Sequence, residues 1–156
     1  MPEAKRVLVN PIIPSDEQFV KEWKKQFPGG QNTFPEEAIY ETENGESVRS
    51  KSEKILADLF LKHGIPYSYE PHVSLSNGRT VYPDFALLNL PQRKTVFWEH
   101  LGLLSNEDYA AKNFEKICEY EKSGIILGDN LIVSMESESI PLDIKLIEKK
   151  LNLFLL

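Results

Sequence analysis

One cysteine, Cys118, stands in 156 residues. A lone cysteine excludes an internal disulfide and a thiolate metal cluster, and a reducing, cytoplasmic setting fits such a chain. It lies in the run FEKICEY among apolar residues at helical spacing, which predicts a buried thiol rather than a nucleophile. No apolar run approaches the roughly 20 residues of a membrane-spanning helix. The N-terminal MPEAKRVLVNPIIPSDEQ has one basic pair and no long apolar core, a poor signal peptide. Repeats and low-complexity segments are absent, and so is any basic excess. Net charge is −6, with 6 basic and 9 acidic side chains in residues 1–50 and 12 and 15 in residues 51–156. Even acidity disfavours a protein that grips nucleic acid by charge alone. It is compatible with an enzyme whose acidic site is neutralised by a divalent metal.

What is present is ordinary globular material. Hydrophobic residues make up 41% and charged residues 27%, which excludes disorder and allows one domain with a proper core. Residues 1–48 read as a lead-in or appendage. SDEQFVKEWKKQF predicts a helix with Phe19, Val20, Trp23 and Phe27 on one side, PGGQNTFP breaks it, and EAIYETENGE suggests a short strand and turn. From residue 49 the pattern sharpens. RSKSEKILADLFLKHG predicts a helix with a Ser50–Glu53 capping box, an apolar face of Ile55, Leu56, Leu59 and Phe60, and a stop at Gly64. IPYSYEPHVSL predicts a strand, SNGR a hairpin turn, and TVYPDFALL and KTVFWEHLGLL two more strands. NEDYAAKNFEKICEYEKSG predicts a helix with Phe114, Ile117 and Cys118 inward. NLIVSME predicts a strand, and PLDIKLIEKKLNLFLL a terminal amphipathic helix. The order helix, three strands, helix, strand, helix predicts an α/β domain over residues 49–156 with a mixed central sheet.

Four acids fall at informative places on these elements: Glu53 on the helix and Glu70, Asp84 and Glu99 on the three strands. Strand interiors rarely keep carboxylates without partners. Two adjacent strands can each bring one carboxylate to a common point, where a divalent metal takes oxygen ligands. Glu53 has a plain structural use as the last member of a capping box, and Glu70 can sit at a strand edge. The cluster of Arg49, Lys51 and Lys54 can hold phosphates or cap the helix. His63 beside Gly64 suits a helix C-terminus, and His72 has no zinc-ligand spacing around it.

SKSE on the helix, YPDF on the second strand and FWEH on the third resemble the core of the PD-(D/E)xK nuclease superfamily, over about residues 49–150. Asp84 matches the motif aspartate, with Pro83 before it, and Glu99 matches the second acid, with 14 residues between them. Glu53 matches a helix glutamate of many members. The resemblance implies a restriction-endonuclease-like fold and metal-dependent hydrolysis of DNA. It implies Asp84, Glu99 and the main-chain carbonyl of His100 as ligands of Mg²⁺ or Mn²⁺, with Glu53 holding a water or a second ion there. One departure matters: the motif lysine position is Leu101. Because side chains alternate along a strand, Leu101 shares Glu99's face and cannot do a lysine's work. Lys116 on the following helix, and after it Lys112, are the replacements, one turn apart on one face. KICEY, with Lys116 four residues before Tyr120, is similar to the Gln-x-x-x-Tyr element of RecB-like members. Two rivals stand beside the nuclease. One is the same fold without activity, a nucleic-acid or protein binding module, which Leu101 and the acidity favour. The other is an unrelated α/β protein with Asp84 and Glu99 far apart or on opposite faces. A larger protein context or a homodimer is compatible with either.

Overall fold

The computed structural model describes residues 13–33, 40–102 and 106–156. Helix α1 (Asp16–Gln26) begins where the Ser15 hydroxyl accepts the Gln18 N–H at 3.2 Å. That bond satisfies one of the orphan donors of a helix start. The predicted apolar side packs inward: Trp23 is buried, and Phe19, Val20 and Phe27 lie against the same core. A small hairpin of β1 (Tyr40–Glu41) and β2 (Ser47–Val48) follows, part of the predicted strand and turn, whose first residues 37–39 lie outside the described ones. Helix α2 (Lys51–Lys62) is capped by Ser50, whose hydroxyl accepts the Glu53 N–H at 3.1 Å, and buries Leu56, Ala57, Leu59 and Phe60.

The long strand predicted over residues 65–75 is two pieces, β3 (Tyr67–Tyr69) and β4 (Val73–Ser74). Glu70 between them adopts a left-handed φ of 46°, and Pro71 has no N–H to continue a ladder. The next predicted strand also divides, into β5 (Thr80–Val81) and β6 (Phe85–Asn89), at Pro83. β4 and β5 form the SNGR hairpin, with Gly78 at φ 84°. The third strand is β7 (Lys94–Leu101), followed by α3 (Glu107–Lys122), β8 (Leu131–Met135) and α4 (Ile144–Phe154).

The central sheet has the order β3-β6-β7-β8, antiparallel at the first two pairings and parallel between β7 and β8. Alternation along β6 sends Phe85 and Leu87 to one face and Ala86 and Leu88 to the other. The first face is covered by α2 and α4 through Phe60, Ile147 and Leu151, with Trp98 at its centre. The second is covered by α1 and α3 through Trp23 and Tyr120. Of the tail residues, Leu151 and Leu155 finish the first core and Leu153 and Leu156 stay exposed.

One predicted face is wrong. Phe114 is 69% exposed and Cys118 is half-buried, while Tyr120 is the fully buried residue of α3. The helix turns the line of Tyr109, Asn113, Lys116 and Tyr120 inward, and the buried Glu99 on β7 takes the polar ends of Lys116 and Tyr120. Phe114 lies about 120° from Tyr120 at 100° per residue.

Candidate active site

Asp84 lies one residue before β6, at the point where β6 and β7 part. The register Phe85↔Trp98 makes Glu99 its cross-strand neighbour, and alternation puts both side chains on the α3 face. Beyond Phe85, β6 no longer offers backbone to β7. The Asp84 carboxylate takes over that role and accepts the His100 N–H at 2.7 Å. The Asp84 carbonyl in turn accepts the Glu70 N–H at 2.9 Å, tying in the end of β3. Burial and the neighbouring Glu99 charge push the Asp84 carboxyl well above the ordinary range, against the pull of Lys116 and the His100 N–H.

Glu99 is 3% exposed and is held from α3. The Tyr120 hydroxyl donates to its Oε1 at 2.6 Å, and Lys116 Nζ lies 3.0 Å from the same oxygen and 5.8 Å from the centre of the Tyr120 ring. Burial pulls the Lys116 ammonium down, but Glu99 and Asp84 together outweigh it and raise its pKa, so it stays protonated. Burial, with the Glu99 charge, also pushes up the Tyr120 phenol, which remains a donor. Lys112, one turn earlier, is exposed and makes no side-chain ion pair or hydrogen bond among the described residues. Leu101 is buried on the face of Glu99, as alternation requires.

Glu53 reaches the same centre from the start of α2. Its Oε1 accepts the Ser50 hydroxyl at 3.0 Å and it is bonded by the Tyr69 hydroxyl, so the capping residue is also part of a polar network. Burial raises its pKa, which the bonds from Tyr69 and Ser50 only partly offset. Glu53 and Asp84 share a cleft of about 540 Å³ with Arg49, His100, Tyr109 and Glu136. Glu99, Lys116 and Glu53 thus each act electrostatically on Asp84.

The His100 ring points to the face opposite Glu99. Both ring nitrogens are engaged, Nδ1 with the Ser134 hydroxyl at 2.7 Å and Nε2 with Glu136 at 2.6 Å. Ser134 accepts the Trp98 indole N–H at 3.0 Å, so its own proton is available to Nδ1 and the Nε2–H to Glu136. Ser52 donates to the same Glu136 oxygen. The ring is thus committed. In a strand, N–H and C=O of one residue face the same edge, which directs the His100 carbonyl toward Asp84.

Other acids and histidines find structural partners. Glu70 is paired with Arg49 through two contacts, 2.6 and 3.1 Å, away from a role beside Asp84. His63 ends α2 as predicted but also meets Glu148 of α4 at 3.0 Å. His72 is exposed. The residues that sequence reading missed are Tyr69 on Glu53, Arg49 on Glu70, and Ser134 with Glu136 on His100. Ser134 is on β8 and Glu136 stands just past its end, two residues on, a signal visible only once the register His100↔Ser134 is known.

Among the described residues, no group of three or more His, Cys, Asp or Glu side chains is arranged to hold a metal ion. Asp84 and Glu99 offer two hard carboxylates, and a main-chain carbonyl lies beside them. Two carboxylates completed by water and substrate oxygens are what Mg²⁺ commonly takes, rather than an all-protein cage. With both carboxyls ionised, the pair would carry one more negative charge than Lys116 neutralises. On both counts the donor set fits a hard divalent cation.

No family model matches the chain. The chain is 37% identical over 124 residues to the uncharacterized protein MJ1519 of Methanocaldococcus jannaschii, a match covering 69% of this chain and 10% of that protein. The chain therefore spans about a tenth of the length of this relative. Among solved structures, one chain of the cryoEM structure of a DrdV–DNA complex aligns with a TM-score of 0.45 and 19% identity, over 90% of this chain and 14% of that one.

Proposed function

We propose that this chain is a divalent-metal-dependent nuclease that hydrolyses DNA phosphodiester bonds, with Asp84, Glu99 and the His100 carbonyl as ligands of Mg²⁺ or Mn²⁺. The observation that carries the reading is the Lys116–Glu99 ion pair at 3.0 Å beside Asp84. It delivers from α3 the cation that Leu101 cannot supply from β7. DNA as the substrate rests on the resemblance of the SKSE, YPDF and FWEH segments. When bound, the metal supplies Lewis-acid charge that activates water and offsets charge on the phosphoryl group.

The chain's own residues divide the remaining work. In hydrolysis a bond forms between the water oxygen and phosphorus as the phosphorus–oxygen bond to the sugar breaks, and the departing sugar oxygen takes a proton from solvent water. Lys116 stays protonated between two carboxylates, so it acts as a fixed positive charge on the phosphoryl oxygens and not as a base. In this reading Glu53, whose pKa burial raises, orients the attacking water and takes its proton. Tyr120 and the His100 N–H hold Glu99 and Asp84 in their rotamers, so the site needs little reorganisation.

Supercoiled plasmid and labelled single strands, with Mn²⁺, Mg²⁺ or EDTA, test the reading. Wild type should cut only with metal, and Asp84→Ala and Glu99→Ala should each lose at least roughly 10²-fold in rate with an unchanged circular dichroism spectrum. Cutting by either variant at the wild-type rate would overturn the assignment. DNA binding with no cutting in any metal would make Leu101 the mark of an inactive binding module.

A further inference from the structure

We propose that the groove between the β4–β5 hairpin and α3 binds an unpaired stretch of DNA, Tyr82 stacking on a base and Lys112 holding a phosphate. The proposal rests on the nuclease reading and extends it to the form of the substrate. The groove, about 540 Å³, has Arg79, Val81 and Tyr82 on one wall and Lys112, Glu115, Lys116 and Glu119 on the other. It reaches the reacting centre at two places. Lys116 spans from the groove to Glu99 at 3.0 Å, and Tyr82 is two residues before Asp84, across the stiff Pro83.

Tyr82 is 37% exposed, and among the described residues it makes no ring contact or hydrogen bond. An aromatic ring left open at the lip of a groove is a platform for a base, and stacking is tolerant of sequence. Charge points the same way. Arg79 is paired with Glu119 and Lys116 with Glu99, whereas Lys112 has no ion partner among the described residues. The cleft on the other side of Asp84 is lined by Glu53, Glu136 and Glu138, and its Arg49 is taken by Glu70. Even with Glu115 counted, the groove's three cations outnumber its two acids, whereas in the cleft Arg49 faces Glu53, Asp84, Glu136 and Glu138, so a polyanion is received on the Lys112 side. Stacking on Tyr82 requires a base outside a duplex, so the occupant is single-stranded DNA or an opened end.

The test is fluorescence anisotropy of the full chain in EDTA with labelled oligo-dT and with a labelled duplex of equal length. Tyr82→Ala should weaken oligo-dT binding roughly 5- to 150-fold and duplex binding much less, while Tyr82→Phe stays within about twofold. Lys112→Ala should lower the slope of log affinity on log salt by about 0.7 for the single strand. An unchanged affinity for Tyr82→Ala, or an equal loss on both forms, overturns the proposal while leaving metal-dependent plasmid cutting in place. A wild-type chain that neither cuts nor binds any DNA overturns the nuclease reading as well.

Discussion

Ionisation of Asp84 is opposed by burial and by the charges of Glu99 and Glu53, and favoured by Lys116 and the His100 N–H. Its folded pKa lies above its unfolded value near 3.9. The fold thus favours the protonated acid, and that contribution is full below the unfolded pKa and lost as pH rises through the folded pKa. Without metal, Asp84→Asn should accordingly be more stable than wild type near neutral pH, with the gap in melting temperature closing as pH falls toward about 4. Melts in EDTA across that range check the sign, and a gap that widens in acid would contradict it. Lys116 acts on the neighbouring acid. Lys116→Met should cost about 1–3 kcal/mol in urea unfolding, because Glu99 keeps only the Tyr120 bond. The ammonium's partial exposure, 34% of the side chain, holds this below the cost of a fully buried broken pair.

Elements place these residues by ending or turning at chosen points. β6 begins only after Pro83, and the Asp84 carboxylate then substitutes for the missing backbone on β7. Amphipathic periodicity located α3 correctly but not its inward face, since the pattern scores Phe114 as apolar and Tyr120 and Lys116 as neutral or polar. Phe114→Ser should therefore shift stability by no more than about 0.5 kcal/mol. Tyr120→Phe should cost about 1 kcal/mol or more for the buried Glu99 bond, and denaturant titration separates the two. α1 belongs to the same core: Trp23 is 4% exposed and its indole donates to Thr95 at 3.0 Å. Trp23→Ala should cost about 3–5 kcal/mol, and a value near zero would mean that α1 is not part of the cooperative unit.

At the scale of the whole molecule, acidity is spread along the sequence, but Glu53, Asp84, Glu136 and Glu138 meet at one cleft. Under the proposed function, a divalent cation bound there would relieve repulsion that the folded chain carries and the unfolded chain does not. Mg²⁺ at 100 times its dissociation constant should raise stability by about 2.7 kcal/mol, an effect that Asp84→Ala should remove in a thermal melt. No helix among the described residues is long and apolar enough to cross a membrane. By itself the sequence determined the order of the helices and main strands, the cap at Ser50, the hairpin at Gly78, and the placing of Asp84 and Glu99 on successive strands. These follow from local periodicity, turn chemistry and strand alternation. Only the tertiary structure decided that Lys116 rather than Lys112 reaches Glu99, that Glu70 belongs to Arg49, and that the His100 ring is spent on Ser134 and Glu136. Each of those depends on strand register and on the rotation of α3 about its axis, which are settled by packing between residues distant in sequence.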